Sequence, residues 1–213
     1  MLELRNIAVD YADQPIISNL SLAVATKEIV SLVGPSGSGK TTLLRVIAGL
    51  EKPRTGSILI AGSDVSAVPT HQRGIGLVFQ DNQLFPHLTV EQNIAYPLRM
   101  RGLSKDAYLP QVEAMLQLIG LQQFGSRHVQ HLSGGEAKRV AVARSLIAQP
   151  SVLLLDEPLT GLDTELHDRL LHDIAALLRA RGTTVVHVTH DLREATTLSN
   201  RVVDIREIGA TCK

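Results

Sequence analysis

The chain has 213 residues, 44% of them hydrophobic and 20% charged, with 21 acidic and 21 basic side chains. That length suits one domain with a real core, and zero net charge leaves no electrostatic footprint for nucleic acid. The chain has no apolar run of the roughly 20 residues that cross a bilayer and no basic-then-apolar N-terminal pattern. Its one cysteine, Cys212, excludes an intrachain disulfide and a cysteine metal cluster. A cytoplasmic location is expected, with any membrane contact made through a protein partner. The absence of Trp and 3% aromatics argue against a base-stacking platform.

Leu2 to Leu22 reads as antiparallel β with a turn near Ala12-Asp13-Gln14-Pro15. Ile29-Val30-Ser31-Leu32-Val33 is a buried-strand run, and a helical run, Thr42 to Ala48, follows soon after. Ile75-Gly76-Leu77-Val78-Phe79 predicts a second such strand, with Gln80 at its end. From Pro86 to about Gln149 the pattern is helical. Tyr108, Val112, Met115, Leu116 and Ile119 mark one helix ending at Gly120, with Pro110 in its first turn or kinking it. Val152 to Leu155 and Thr184 to Val188 are two more buried strands, and Arg201 to Ile205 is strand-like. Between them Leu166, Leu170, Leu171, Ile174, Leu177 and Leu178 share one helical face that stops at Gly182. β-branched runs without alternation belong to a sheet covered on both faces. The reading is an α/β core from 1–85 and 150–213, with a helical subdomain inserted at about 86–149.

Gly34-Pro35-Ser36-Gly37-Ser38-Gly39-Lys40-Thr41 matches G-x-x-x-x-G-K-[ST] between a strand and a helix, the context that motif needs. Glycines let successive N–H groups turn toward phosphates, and the helix N-terminus adds partial positive charge. Lys40 is expected to reach the β- and γ-phosphates and the Thr41 hydroxyl to bind Mg²⁺. Asp156 ends a buried strand, where a carboxylate can hold Mg²⁺ through water, and Glu157 can polarise an attacking water. A lone His190 or Gln80 is more often structural. In α/β sheets, however, ligands sit beyond the carboxyl ends of strands, and four such ends carry the loop, Gln80, Asp156-Glu157 and His190.

Leu132-Ser133-Gly134-Gly135-Glu136, just ahead of Asp156-Glu157, resembles the signature of ATP-binding cassette (ABC) ATPases. The resemblance covers essentially the whole chain. It implies a P-loop NTPase (RecA-like) fold that binds and hydrolyses ATP with Mg²⁺. By resemblance Tyr11 stacks on adenine and Gly34 to Thr42 is the phosphate loop. Gln80 is the Q-loop glutamine and a ligand of Mg²⁺ beside Thr41 and Asp156. Ser133, Gly134, Gly135 and Glu136 bind nucleotide across a dimer, Glu157 is the catalytic base, His190 the switch histidine, and Leu162-Asp163 the loop that crosses to the partner. Two glycines at a helix start leave N–H donors suited to a phosphate. Since the family's signature faces the ATP of a second subunit, a head-to-tail pair is implied.

Glu136 stands where the family commonly has Gln, which by resemblance places negative charge near the γ-phosphate, and the resemblance leads to the expectation of a subunit without the C-terminal regulatory domain of many sugar and polyamine importers, or of one shortened relative to a typical subunit. The run Arg73 to Gln80, then Leu84-Phe85-Pro86-His87-Leu88-Thr89-Val90 and Asn93-Ile94-Ala95, looks most like importers of iron, polyamines or thiamine. This implies permease subunits, a solute-binding protein and a location on the inner face of the membrane. Other readings are an export or lipoprotein-release cassette, a soluble cassette of repair or translation, and a P-loop kinase. The 53-position interval from Gln80 to Ser133 leaves no room for the coiled coil of a repair type, and a kinase has no use for Leu-Ser-Gly-Gly.

Overall fold

The three strands buried along their whole length, at 29–33, 152–156 and 185–188, pair parallel in this chain, and the strands of its first 64 residues that alternate buried with exposed positions pair antiparallel. The computed structural model describes residues 1–11 and 14–211. In chain order the elements begin β1 (Leu2–Tyr11), β2 (Gln14–Val24), β3 (Ile29–Val33), α1 (Lys40–Ala48), β4 (Thr55–Ile60), β5 (Ser63–Asp64) and β6 (Ile75–Val78). Three helices follow, α2 (Val90–Met100), α3 (Lys105–Leu118) and α4 (Gly134–Ile147), with no strand among them. The chain then runs β7 (Val152–Asp156), α5 (Thr164–Arg181), β8 (Val185–Val188), α6 (Leu192–Leu198), β9 (Arg201–Asp204), α7 (Ile205–Ile208) and β10 (Ala210–Thr211).

One sheet has the order β10-β2-β1-β4-β5 and is antiparallel; the other has the order β6-β7-β8-β3-β9 and is parallel. Every residue of β3, β7 and β8 is buried. Their side chains alternate between two cores, as a two-sided sheet requires. Leu153, Leu155 and Val185 pack with α2, α3, α4 and α5 on one face. Val152, Leu154, Val186, Val30 and Leu32 pack with α1 and the antiparallel sheet on the other. The helices after β6 thus share one core with the underside of the parallel sheet.

Several boundaries differ from the sequence reading. Helix α1 starts at Lys40, two residues before Thr42, because the glycine turn ends on Gly39 at φ 86°. Strand β6 stops at Val78, leaving Phe79 and Gln80 beyond it. Pro110 is the sixth residue of α3, in the second turn and not the first. Ile205 begins a short helix rather than ending a strand. Helix α5 runs as its apolar face predicts, from an Asp163 cap on the Leu166 amide to Gly182 at φ 59°. No helix among the described residues is long and apolar enough to cross a membrane.

Candidate active site

The loop between β3 and α1 is closely packed at its first and last glycines. A Cβ on Gly34 would stand 2.9 Å from Ile205 Cγ2 and 3.1 Å from Ser38 Oγ. The amides of Lys40, Thr41 and Thr42 have no acceptor within the helix, and no side chain caps them. Ser38 Oγ is buried without a hydrogen-bond partner. Open amides and an unsatisfied hydroxyl at a helix N-terminus fit a phosphate. Lys40 is buried, and its Nζ donates to the carbonyls of Gly34 at 2.8 Å and Pro35 at 2.9 Å, holding the ammonium at the mouth of the loop. Burial pushes its pKa down, while the carboxylates of Glu157, Asp156 and Asp204 pull the other way.

Thr41 and Asp156 meet across the sheet. The Thr41 hydroxyl donates to Asp156 Oδ1 at 3.0 Å. Asp156 is only 7% exposed. Burial pushes its carboxyl above the usual range and Glu157 adds to this, while Thr41 acts in the opposite sense. A buried carboxylate beside a hydroxyl, with its charge poorly compensated, is a hard-oxygen set that suits Mg²⁺.

Glu157 follows at φ 43°, a turn that costs a non-glycine residue of the order of 1 kcal/mol or more. Its amide still bonds to the Val188 carbonyl at 3.0 Å, so the carboxylate leaves the sheet at the end of β7. Glu157 Oε2 lies 3.2 Å from His190 Nδ1 and accepts from Thr160 Oγ1 at 3.1 Å. The structure therefore brings Lys40, Thr41, Asp156, Glu157 and His190 to the carboxyl ends of β3, β7 and β8. Thr160 is a partner of Glu157 that no sequence motif marked.

Other expected residues lie elsewhere. Gln80 is exposed in the turn after β6, and among the described residues no hydrogen bond or ion pair joins it to Thr41 or Asp156. Tyr11 ends β1, and the stacking role expected of its ring falls outside the described residues. Ser133 to Glu136 start α4, and among the described residues no hydrogen bond or ion pair links them to the phosphate loop. Their terminus is less open than expected. Ser133 Oγ accepts from the Glu136 amide at 3.3 Å, and Glu136 Oε2 accepts from the Ser133 amide at 2.7 Å, a reciprocal capping box. The amides of Gly134 and Gly135 are left for a ligand. Beneath them, a Cβ on Gly135 would meet Leu166 at 3.0 Å, which ties the segment to α5.

The family profile described as ABC transporter matches residues 17–160, which include the phosphate loop, Gln80, Ser133 to Glu136 and Asp156-Glu157. The chain belongs to the ABC transporter family. It is 46% identical over 203 residues to the spermidine/putrescine import ATP-binding protein PotA of Spiroplasma citri, covering 95% of the chain and 58% of that protein. It is 46% identical over 207 residues to the Fe(3+) ions import ATP-binding protein FbpC of Streptomyces coelicolor, covering 97% and 60%. The chain thus spans less than two thirds of the length of these ABC relatives. Among solved structures, a dimeric post-hydrolysis state of the ATP-binding cassette MJ0796 with ADP and Pi superposes with a TM-score of 0.82 at 32% identity, covering 96% of the chain and 94% of that one.

Proposed function

We propose that this ABC cassette binds Mg-ATP and hydrolyses it, as one of two such subunits that drive solute import through a membrane permease. The observation that carries the reading is the juxtaposition of Thr41 and Asp156 with Glu157 and His190 at one sheet edge beside Lys40. The open amides of α1 and Lys40 hold the phosphates. Thr41 and Asp156 hold Mg²⁺, with Gln80 completing the set. Bound Mg²⁺ supplies Lewis-acid charge stabilisation of the phosphoryl oxygens. Glu157 accepts a proton from water, His190 and Thr160 fix the angle of its carboxylate, and Tyr11 stacks on adenine.

A second copy supplies Ser133, Gly134, Gly135 and Glu136 across a head-to-tail interface, since these residues lie apart from the phosphate loop of their own chain. Residues 86–149 form the helical subdomain that meets permease subunits, which places the chain on the inner face of the membrane. A solute-binding protein delivers the cargo. The relatives named above are import subunits for polyamines and Fe(3+), which supports import.

The reading is tested with Lys40→Ala. The ammonium is a point charge that backbone donors cannot replace. The variant should lose most affinity for a fluorescent ATP analogue and all useful turnover. Wild-type affinity would remove this loop from the nucleotide site.

A further inference from the structure

A second polar chain is buried behind the catalytic edge, and the hydrolytic roles above do not use it. His187 on β8 is wholly buried, and its Nδ1 lies 2.9 Å from Ser31 Oγ on β3, the strand that feeds the phosphate loop. Its Nε2 is 3.6 Å from Glu194 Oε2, and both atoms are buried without a hydrogen-bond partner. Glu194, in the first turn of α6, is 4% exposed. Its other oxygen lies 2.7 Å from His167 Nε2 on α5. His167 Nδ1 in turn lies 3.3 Å from Asp168 Oδ1.

The placement of the pair gives it a job. His167 comes four residues after Asp163, the cap of α5, and Glu194 four residues after His190. Asp191, between His190 and Glu194, receives the amides of Arg193 and Glu194, and its own amide donates to Thr189 Oγ1. A cavity of 180 Å³ separates the two segments, with Thr160, Leu162, His167, His190 and Glu194 among its walls. The His167–Glu194 contact lies in the wall of that cavity and ties α5 to α6. The charged and titratable neighbours are Asp168 on α5, His187 on β8, Lys138 on α4, and His190 with Asp191 in the loop before α6.

Burial alone would push the Glu194 carboxyl up, but His187, Thr189 and His167 outweigh it and hold it at about 2. Burial likewise pulls His167 down, but its interactions with Glu194 and Asp168 prevail and raise it above the ordinary imidazole value. Glu194 thus stays charged at every working pH, and His167 is the member that changes charge. Burial pushes Lys138 down, while Glu194 supports its charge.

We propose that His167 and Glu194 form a positioning pair that fixes His190 and the Leu162–Asp163 segment relative to each other, and that the pair slackens when His167 loses its proton. The inference rests on the reading of Glu157 and His190 as hydrolytic machinery for its effect on turnover, but not for the coupling itself. The sign follows from the raised imidazole. The charge-assisted contact is complete below about pH 6.5, the unperturbed value, and is lost as pH rises through the higher folded value.

The test combines NMR titration with steady-state ATPase assays on the full chain. In the wild type, the Leu162 amide should shift with a component that shares its midpoint with the His167 ring proton. In His167→Arg, whose permanent cation has the neighbouring cavity to occupy, that component should vanish. The Arg variant should keep its low-pH turnover across the window in which the wild type declines. Glu194→Gln, nearly isosteric, should lower kcat roughly 3- to 30-fold, the usual reach of such coupling, with little change in KM for ATP. A Leu162 shift that persists unchanged in His167→Arg, or is absent from the wild type, overturns the proposal. A chain that never hydrolyses ATP yet shows the linked titration refutes the ATPase reading and leaves the coupling in place.

Discussion

Gly39 carries a φ of 86°, and a Cβ there would stand 2.9 Å from Ile16 Cγ2 and 2.9 Å from Ile17 Cγ1. The antiparallel sheet is therefore pressed against the start of α1, and the loop's shape depends on a neighbour far away in the chain. Gly39→Ala meets a left-handed backbone and a packed neighbour at once. It should lower stability by roughly 2–4 kcal/mol in urea unfolding and weaken ATP binding further, by displacing the amides of Lys40 and Thr41. The P-loop was legible residue by residue because all its parts are contiguous. Glu157 and Asp156 were legible because a buried strand ends on them. The partners of His167, Glu194 and His187 were not, since those residues lie 7 to 27 positions apart and no local pattern joins them.

At the scale of elements, Arg73 shows how the phosphate-loop helix is held from behind. The side chain is 6% exposed and its guanidinium donates to the carbonyls of Val46, Ile47, Ser66 and Val68. Two of these, Val46 and Ile47, lie in the last turn of α1, where a cation also suits the helix dipole, and the Val46 carbonyl also accepts from the Gly49 amide. Arg73→Ala removes the donor shared by these four carbonyls, of which Val46 keeps the Gly49 amide. It should cost about 1–3 kcal/mol in denaturant unfolding, the range for leaving a buried acceptor unsatisfied, and no measurable cost would show the clamp to be dispensable. Helix α4 gives the complementary case. Ser133→Arg removes one cap, worth about 1 kcal/mol, and should leave ATP binding to a single chain intact while abolishing turnover. Nucleotide affinity and ATPase rate measured on one preparation decide it, and parallel loss of both would make Ser133 part of its own chain's site. Strands β3, β7 and β8 could be read from their apolar runs. Strands β4, β5 and β10 could not. β4 is half exposed and β5 and β10 have two residues each, so pairing makes them strands, not composition: β4 with β1, β5 with β4 and β10 with β2.

In the whole molecule the parallel sheet carries the Lys40, Thr41, Asp156, Glu157 and His190 constellation at one edge, while Ser133 to Glu136 begin a helix on the face shared with α5. On the proposed reading one chain presents two half-sites, and pairing two chains head to tail would complete each. Glu136, expected to repel a phosphate, has its carboxylate turned back onto the Ser133 amide, so the negative charge serves the cap. The account is tested most directly with Glu157→Gln. Glutamine preserves shape, so Mg²⁺ binding through Asp156 and ATP binding should survive. Loss of a general base lowers turnover on the order of 10²–10⁴-fold, and removal of a charge beside the γ-phosphate relieves repulsion in the bound state. Size-exclusion chromatography with light scattering should then show monomer converting to dimer with ATP and not with ADP. A variant that hydrolyses ATP at the wild-type rate, or that stays monomeric at saturating ATP and high protein concentration, would contradict the account.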